Sequence, residues 1–184
     1  MTQETKDNMA EAVRDFRLPR YEEIPNVGLY LEQVVKYIGD YLAPLEDVLI
    51  TGSMVSNYVK RGLVSNPVKK QYFRDQIAGL IYIAVAKNVL SLDDIRTLLE
   101  MQRNTYEVKK AYDYFCSEFE NVVFYVFGLK DSLDIVGSDA TDEKMMLRNT
   151  IITVAHKTYL DMCFRAIQSE QGNLASEHKN ERGQ

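Results

Sequence analysis

The 184-residue chain has no tryptophan, four prolines, two cysteines and two histidines. Cys116 and Cys163 stand far apart with no CxxC pair, which excludes a disulfide scaffold or a cysteine-rich zinc site and fits a reducing compartment. HExxH and paired histidines are absent, so His156 and Cys163 on one helix lack the three or four ligands a metal site needs. Neither GxGxxG nor GxxxxGK[ST] occurs, so nucleotide binding has no local support. No apolar run is long enough to span a bilayer. The opening MTQETKDNMAEAVRDF alternates acid and base without the apolar stretch of a secretory leader. These absences lead to the expectation of a cytoplasmic protein that is not an enzyme and has no cofactor, because no set of base, nucleophile or metal ligands is visible.

What is present is a core and an uneven charge. At 46% hydrophobic the chain can bury an interior, and its formal net charge is −5. From Tyr21 to Ile50 Lys36 stands against Glu22, Glu23, Glu32, Asp40, Glu46 and Asp47. From Thr51 to Asp75 the balance reverses: Lys60, Arg61, Lys69, Lys70 and Arg74 face Asp75 alone. A basic island in an acidic protein localises attraction for a polyanion.

The apolar pattern predicts mainly helix. Residues 1–17 read as a flexible or loosely helical lead-in, and LPRYEEIPNVG as an extended, turn-rich entry. Leu31, Val34, Val35, Ile38 and Leu42 recur at helical spacing until Pro44. Thr51 or Ser53 caps a helix burying Met54, Val55, Tyr58 and Val59, closed by Gly62. Asn66 and Pro67 read as the turn of a small hairpin tipped by Lys69 and Lys70. A helix is expected over 74–90, then another opened by Ser91 and Asp94. Helical rhythm runs from Val108 and Ala111 to Val126; VVFYVF at 122–127 could be a buried strand on propensity alone, but its continuity with the preceding pattern favours helix. Asp139 or Thr141 caps a last helix to about Ser169, greasy over so wide an arc that it sits in a bundle or forms a dimer. A polar tail, 170–184, is expected to be mobile.

Helix, connection, helix, basic hairpin, helix, capped helix is the order of a winged helix-turn-helix. Its second helix enters the major groove of double-stranded DNA and its wing meets the backbone. MVSNYVKRGLV at 54–64 resembles the end of the recognition helix in MerR-type regulators. KKQYFRDQI at 69–77 is similar to their wing, and VLSLDDIRTLL at 89–99 to their fourth helix. LPRYEEIPNVGLYLEQVVKYI with the run that follows resembles, over Leu18 to Met101, an uncharacterised Gram-positive family of predicted helix-turn-helix proteins carried as a domain of unknown function. The Arg-Tyr that grips phosphate in MerR proteins is replaced here by Ser56 and Asn57, and the link Ala43–Ile50 is longer than a standard turn.

The expected organisation is a lead-in (1–17), a winged helix-turn-helix domain (18–103), a helical dimerisation or sensing region (104–169) and a tail (170–184). The candidate DNA contacts are Ser53, Ser56, Asn57, Tyr58, Lys60, Arg61, Lys69, Lys70, Tyr72 and Arg74. The expected function is a homodimeric, sequence-specific transcriptional regulator. The alternative is an adaptor that keeps the helix-turn-helix shape without binding DNA. For the aromatic-rich helix 106–127 the bland role is core and dimer interface, and the sharper one a pocket for a small apolar effector.

Overall fold

The computed structural model describes residues 1–137 and 141–181 and, within 171–181, the helical backbone. Seven α-helices and a two-stranded antiparallel sheet are found among them. In chain order they are α1 (Gln3–Ala12), β1 (Leu29–Tyr30), α2 (Leu31–Leu42), α3 (Gly52–Lys60), β2 (Gln71–Tyr72), α4 (Arg74–Ala86), α5 (Leu92–Thr105), α6 (Val108–Val126) and α7 (Asp142–Glu181). Two short 3-10 turns, Tyr21–Glu23 and Ala43–Leu45, fill the connections on either side of β1 and α2. No helix among the described residues is long and apolar enough to cross a membrane.

The lead-in is a docked helix. Thr2 caps α1 by accepting from the Thr5 amide at 3.1 Å, and Met9, Val13 and Phe16 are buried. Their spacing of four and three is an apolar stripe that the surrounding charges hide from a composition-based reading. Phe16 meets Phe119 of α6 edge-on at 5.6 Å, while Phe119 stacks on Phe115 at 5.8 Å. Buried side chains from Met9 to Cys163 form one continuous cluster. The regions 18–103 and 104–169 therefore share a core.

The LPRY segment is strapped to one face of α6. Glu120 accepts a fork of two hydrogen bonds from Arg20, each 2.6 Å, and a third from the Leu18 amide at 2.8 Å. Asp113 accepts from the Tyr21 amide at 2.8 Å. Between them lies Cys116, fully buried, its thiol pushed up to about 12 because burial penalises the thiolate. Asp113, Cys116 and Glu120 are one helical stripe, so the strap follows α6 turn by turn.

α4 is buried on nearly every side, as an all-apolar helix must be. It ends at Ala86, short of the expected Leu90; the Asn88 side chain then bonds back to the Ala84 and Val85 carbonyls and closes the helix. Of VVFYVF, residues 122–126 are helix, the end of α6, and Phe127 is its C-cap, while Val108, expected inward, is 37% exposed. Thr141 accepts from the Lys144 amide at 3.3 Å and caps α7, whereas Asp139, the other expected cap, lies outside the described residues. α7 carries on to Glu181, past the end expected at Ser169. The tail expected over 170–184 is helical as far as it is described.

Gly62 terminates α3 at φ +75°. Its amide bonds to the Val59 carbonyl and that of Leu63 to the Tyr58 carbonyl, the paired bonds of a Schellman cap, and Leu63 is buried behind them. A Cβ at this position would touch nothing within 4 Å, so Gly62→Ala tests the backbone conformation alone. The variant is expected to lose roughly 1–2 kcal/mol, seen as a lower urea midpoint. An unchanged midpoint would show that the cap tolerates a side chain.

Candidate nucleic-acid interface

Thr51, rather than Ser53, caps α3: its hydroxyl accepts from the Met54 amide at 3.3 Å. Val55 and Tyr58 face the core, and Ser53, Ser56, Asn57, Lys60 and Arg61 face solvent. Ser56 donates to the Gly52 carbonyl at 2.8 Å, which leaves its oxygen lone pairs outward. The link from α2 is packed, because Leu45, Val48 and Ile50 are buried and hold the long connection in place.

Beyond the Schellman cap the chain makes a tight hairpin whose turn lies at Lys69 and Lys70, three residues later than the expected Asn66–Pro67 turn. Val68 and Gln71 exchange backbone hydrogen bonds of 3.0 and 2.9 Å, and the two lysines have φ +50° and +65°. Two successive positive φ values are the signature of a type I′ turn, which matches strand twist. Gln71 and Tyr72 then pair with Tyr30 and Leu29. Asn66 and Pro67 lie on the approach, where buried Gln76 holds the loop: its amide donates to the Ser65 and Asn66 carbonyls at 3.0 and 3.2 Å and accepts from the Phe73 amide at 2.8 Å. Sequence reading missed Gln76, and the only available signal was a polar residue on a helix otherwise apolar all round.

Three of the ten expected contacts do not belong to the exposed set. Tyr58 is 3% exposed and Tyr72 5%, and burial raises the pKa of both phenols. They pack the inner faces of α3 and β2. Arg74 is turned inward to the strap, donating to the Ile24 carbonyl at 2.9 Å and to Glu22 at 2.5 Å, with its guanidinium 5.3 Å over the Tyr21 ring. The remaining seven are exposed.

The cations among those seven differ from most in the protein. Arg14, Arg17, Arg20, Lys36, Arg74, Arg148 and Arg165 each lie against a carboxylate. Among the described residues Lys60, Arg61, Lys69 and Lys70 have no such partner, and their side chains make no hydrogen bond. No three His, Cys, Asp or Glu side chains gather as a metal site among the described residues.

α7 reaches this half of the molecule through Arg165, which pairs with Glu46 at 2.6 Å and with Asp47, both in the link before α3. A second polar contact joins a buried carboxylate to a half-exposed arginine. Glu118 of α6 is 1% exposed, with Arg148 Nε 2.8 Å from its carboxylate but not angled for a hydrogen bond. Burial dominates and raises the Glu118 pKa, with Arg148 and Lys144 opposing. A raised carboxyl value means the folded state holds the proton more tightly than the unfolded chain. The stabilisation is complete below the ordinary glutamate value near about 4.3 and is lost as pH rises through the higher folded value. Glu118→Gln should remove that part of the slope, so that urea midpoints of wild type and variant diverge as pH rises, the variant gaining. Parallel curves would refute the assignment.

The family model described as a domain of unknown function (DUF1836) matches residues 19–115, more than half of the chain, and the chain belongs to that family. The match runs from the strap into the α6 face that holds it. No curated protein and no solved structure matches the chain.

Proposed function

We propose that the chain is a transcriptional regulator that binds duplex DNA through a winged helix-turn-helix resembling that of MerR-type proteins. α2 and α3 form the helix pair, α3 lies in the major groove, and the Lys69–Lys70 turn is the wing. The observation that carries this reading is the unpaired state of Lys60, Arg61, Lys69 and Lys70 in a chain whose other arginines and lysines so often meet a carboxylate. Unpaired surface cations keep their full attraction for phosphate, and the exposed Ser53, Ser56 and Asn57 supply donors and acceptors for base edges. The order of elements and the rigid, glycine-capped exit of α3 support the same reading.

A homodimer belongs to the proposal. Leu160 and Phe164, four apart on α7, are 50% and 58% exposed, an apolar pair that a two-fold partner would cover. Two reading helices related by such an axis would face half-sites one helical turn apart. The deciding experiment is a gel shift of genomic fragments at low salt. Retarded bands enriched in one pseudo-palindrome are expected. No shift at micromolar protein would favour the adaptor instead.

A further inference from the structure

A cavity of about 500 Å³ lies among α4, α5, α6 and α7, within the range of sites that hold small organic molecules. The wall is largely apolar: Tyr82 comes from α4, Leu98 and Leu99 from α5, Phe115 from α6 and Leu147 from α7. α4 also meets this space at Gly79, where an added Cβ would find nothing within 4 Å.

The polar groups of the wall are unevenly satisfied. Asp75 already accepts from the Tyr21 hydroxyl, and Glu143 from the Thr105 hydroxyl at 3.0 Å. The buried amide nitrogen of Gln102 has no hydrogen-bond partner among the described residues. Lys144 has its ammonium 5.0 Å from the centre of the Tyr114 ring and pairs with no carboxylate within ion-pair distance among the described residues. Lys144 also sits in the first turn of α7, where the helix dipole opposes a cation and favours an anion. An apolar body with one negative group suits a largely apolar wall that also holds the Lys144 ammonium.

We propose that this cavity binds a small aromatic monocarboxylic acid, its ring between Tyr82, Phe115 and the α5 leucines and its carboxylate toward Lys144. The site stands independently of DNA binding, since it uses none of the exposed cations of α3 and the hairpin. The test is calorimetric titration of the full chain with 1-naphthoate, beside the uncharged naphthalen-1-ylmethanol. Saturable one-to-one binding of naphthoate is expected. Gly79→Leu, which fills the cavity while removing a helix-interior glycine, should abolish it without lowering the melting temperature. Lys144→Gln should weaken naphthoate roughly tenfold and leave the alcohol unchanged. Should Gly79→Leu not fold, Ala111→Met on the α6 wall carries the same expectation. Absence of saturable binding, or binding that survives a folded cavity-filling variant, overturns the site. An equal loss of both compounds in Lys144→Gln overturns the choice of an acid.

Discussion

A protein carrying Lys60→Ala, Lys69→Ala and Lys70→Ala will bind duplex DNA with a markedly flatter salt dependence than wild type. Each phosphate contact contributes about 0.9 to the slope of log K against log salt, so three contacts remove about 2.7. Between 50 and 200 mM salt that difference amounts to about fortyfold in affinity. The variant should fold normally, since all three side chains are exposed and none bonds to another part of the chain. Asn57→Ala, on the same exposed face, should behave differently, leaving the slope intact and relaxing preference among sequences. The measurement is fluorescence anisotropy of labelled duplex across a salt series. A triple variant with the slope of wild type would remove the proposed interface, and an unchanged sequence preference in Asn57→Ala would remove α3 as the reader.

Phe119→Ala is expected to be the most damaging single truncation in the core, at about 3–5 kcal/mol. Phe119 is fully buried and joins the lead-in to the centre through Phe16 and Phe115. In a chain of this size each kcal/mol moves the melting temperature by about 2–4 °C, so a fall of roughly 6–20 °C should follow. Because the buried cluster is continuous from Met9 to Cys163, the fall should be shared. Far-ultraviolet circular dichroism and tyrosine fluorescence should report one transition, displaced as a whole. Two transitions, with the region of α2 to α5 unmoved, would mean that the halves hold separate cores.

Much of the helical order was legible because it rests on local signals. α2 announces itself by spacing, α3 by Thr51 and Gly62, and α5 by the Ser91 hydroxyl that accepts from the Asp94 amide. What was hidden depends on partners remote in sequence. Nothing near Arg74 indicates that Glu22 and Ile24 will take its guanidinium. Nothing around Tyr72 says which side faces inward until β1 pairs with its strand, whereas Tyr58 lies on the apolar stripe that its spacing already assigned to the core. For the lead-in, read as flexible or loosely helical, it was the docking that stayed hidden: its apolar stripe is thin, and the charged residues between obscure it. The hairpin turn was misplaced because Asn-Pro is a favourable turn pair by composition while Lys-Lys is not. The cavity could be anticipated only as an aromatic surplus on α6, since a space belongs to four helices and is written in none of them.

The hairpin turn at Lys69 and Lys70 has an engineering meaning. Asparagine followed by glycine would occupy the left-handed conformations of residues 69 and 70 with ease, yet the chain places there two side chains that resist them. A Lys69→Asn, Lys70→Gly exchange should therefore yield a sturdier hairpin and a poorer polyanion ligand in the same molecule. This chain thus sets two cations at a position whose backbone would be more at ease with asparagine and glycine.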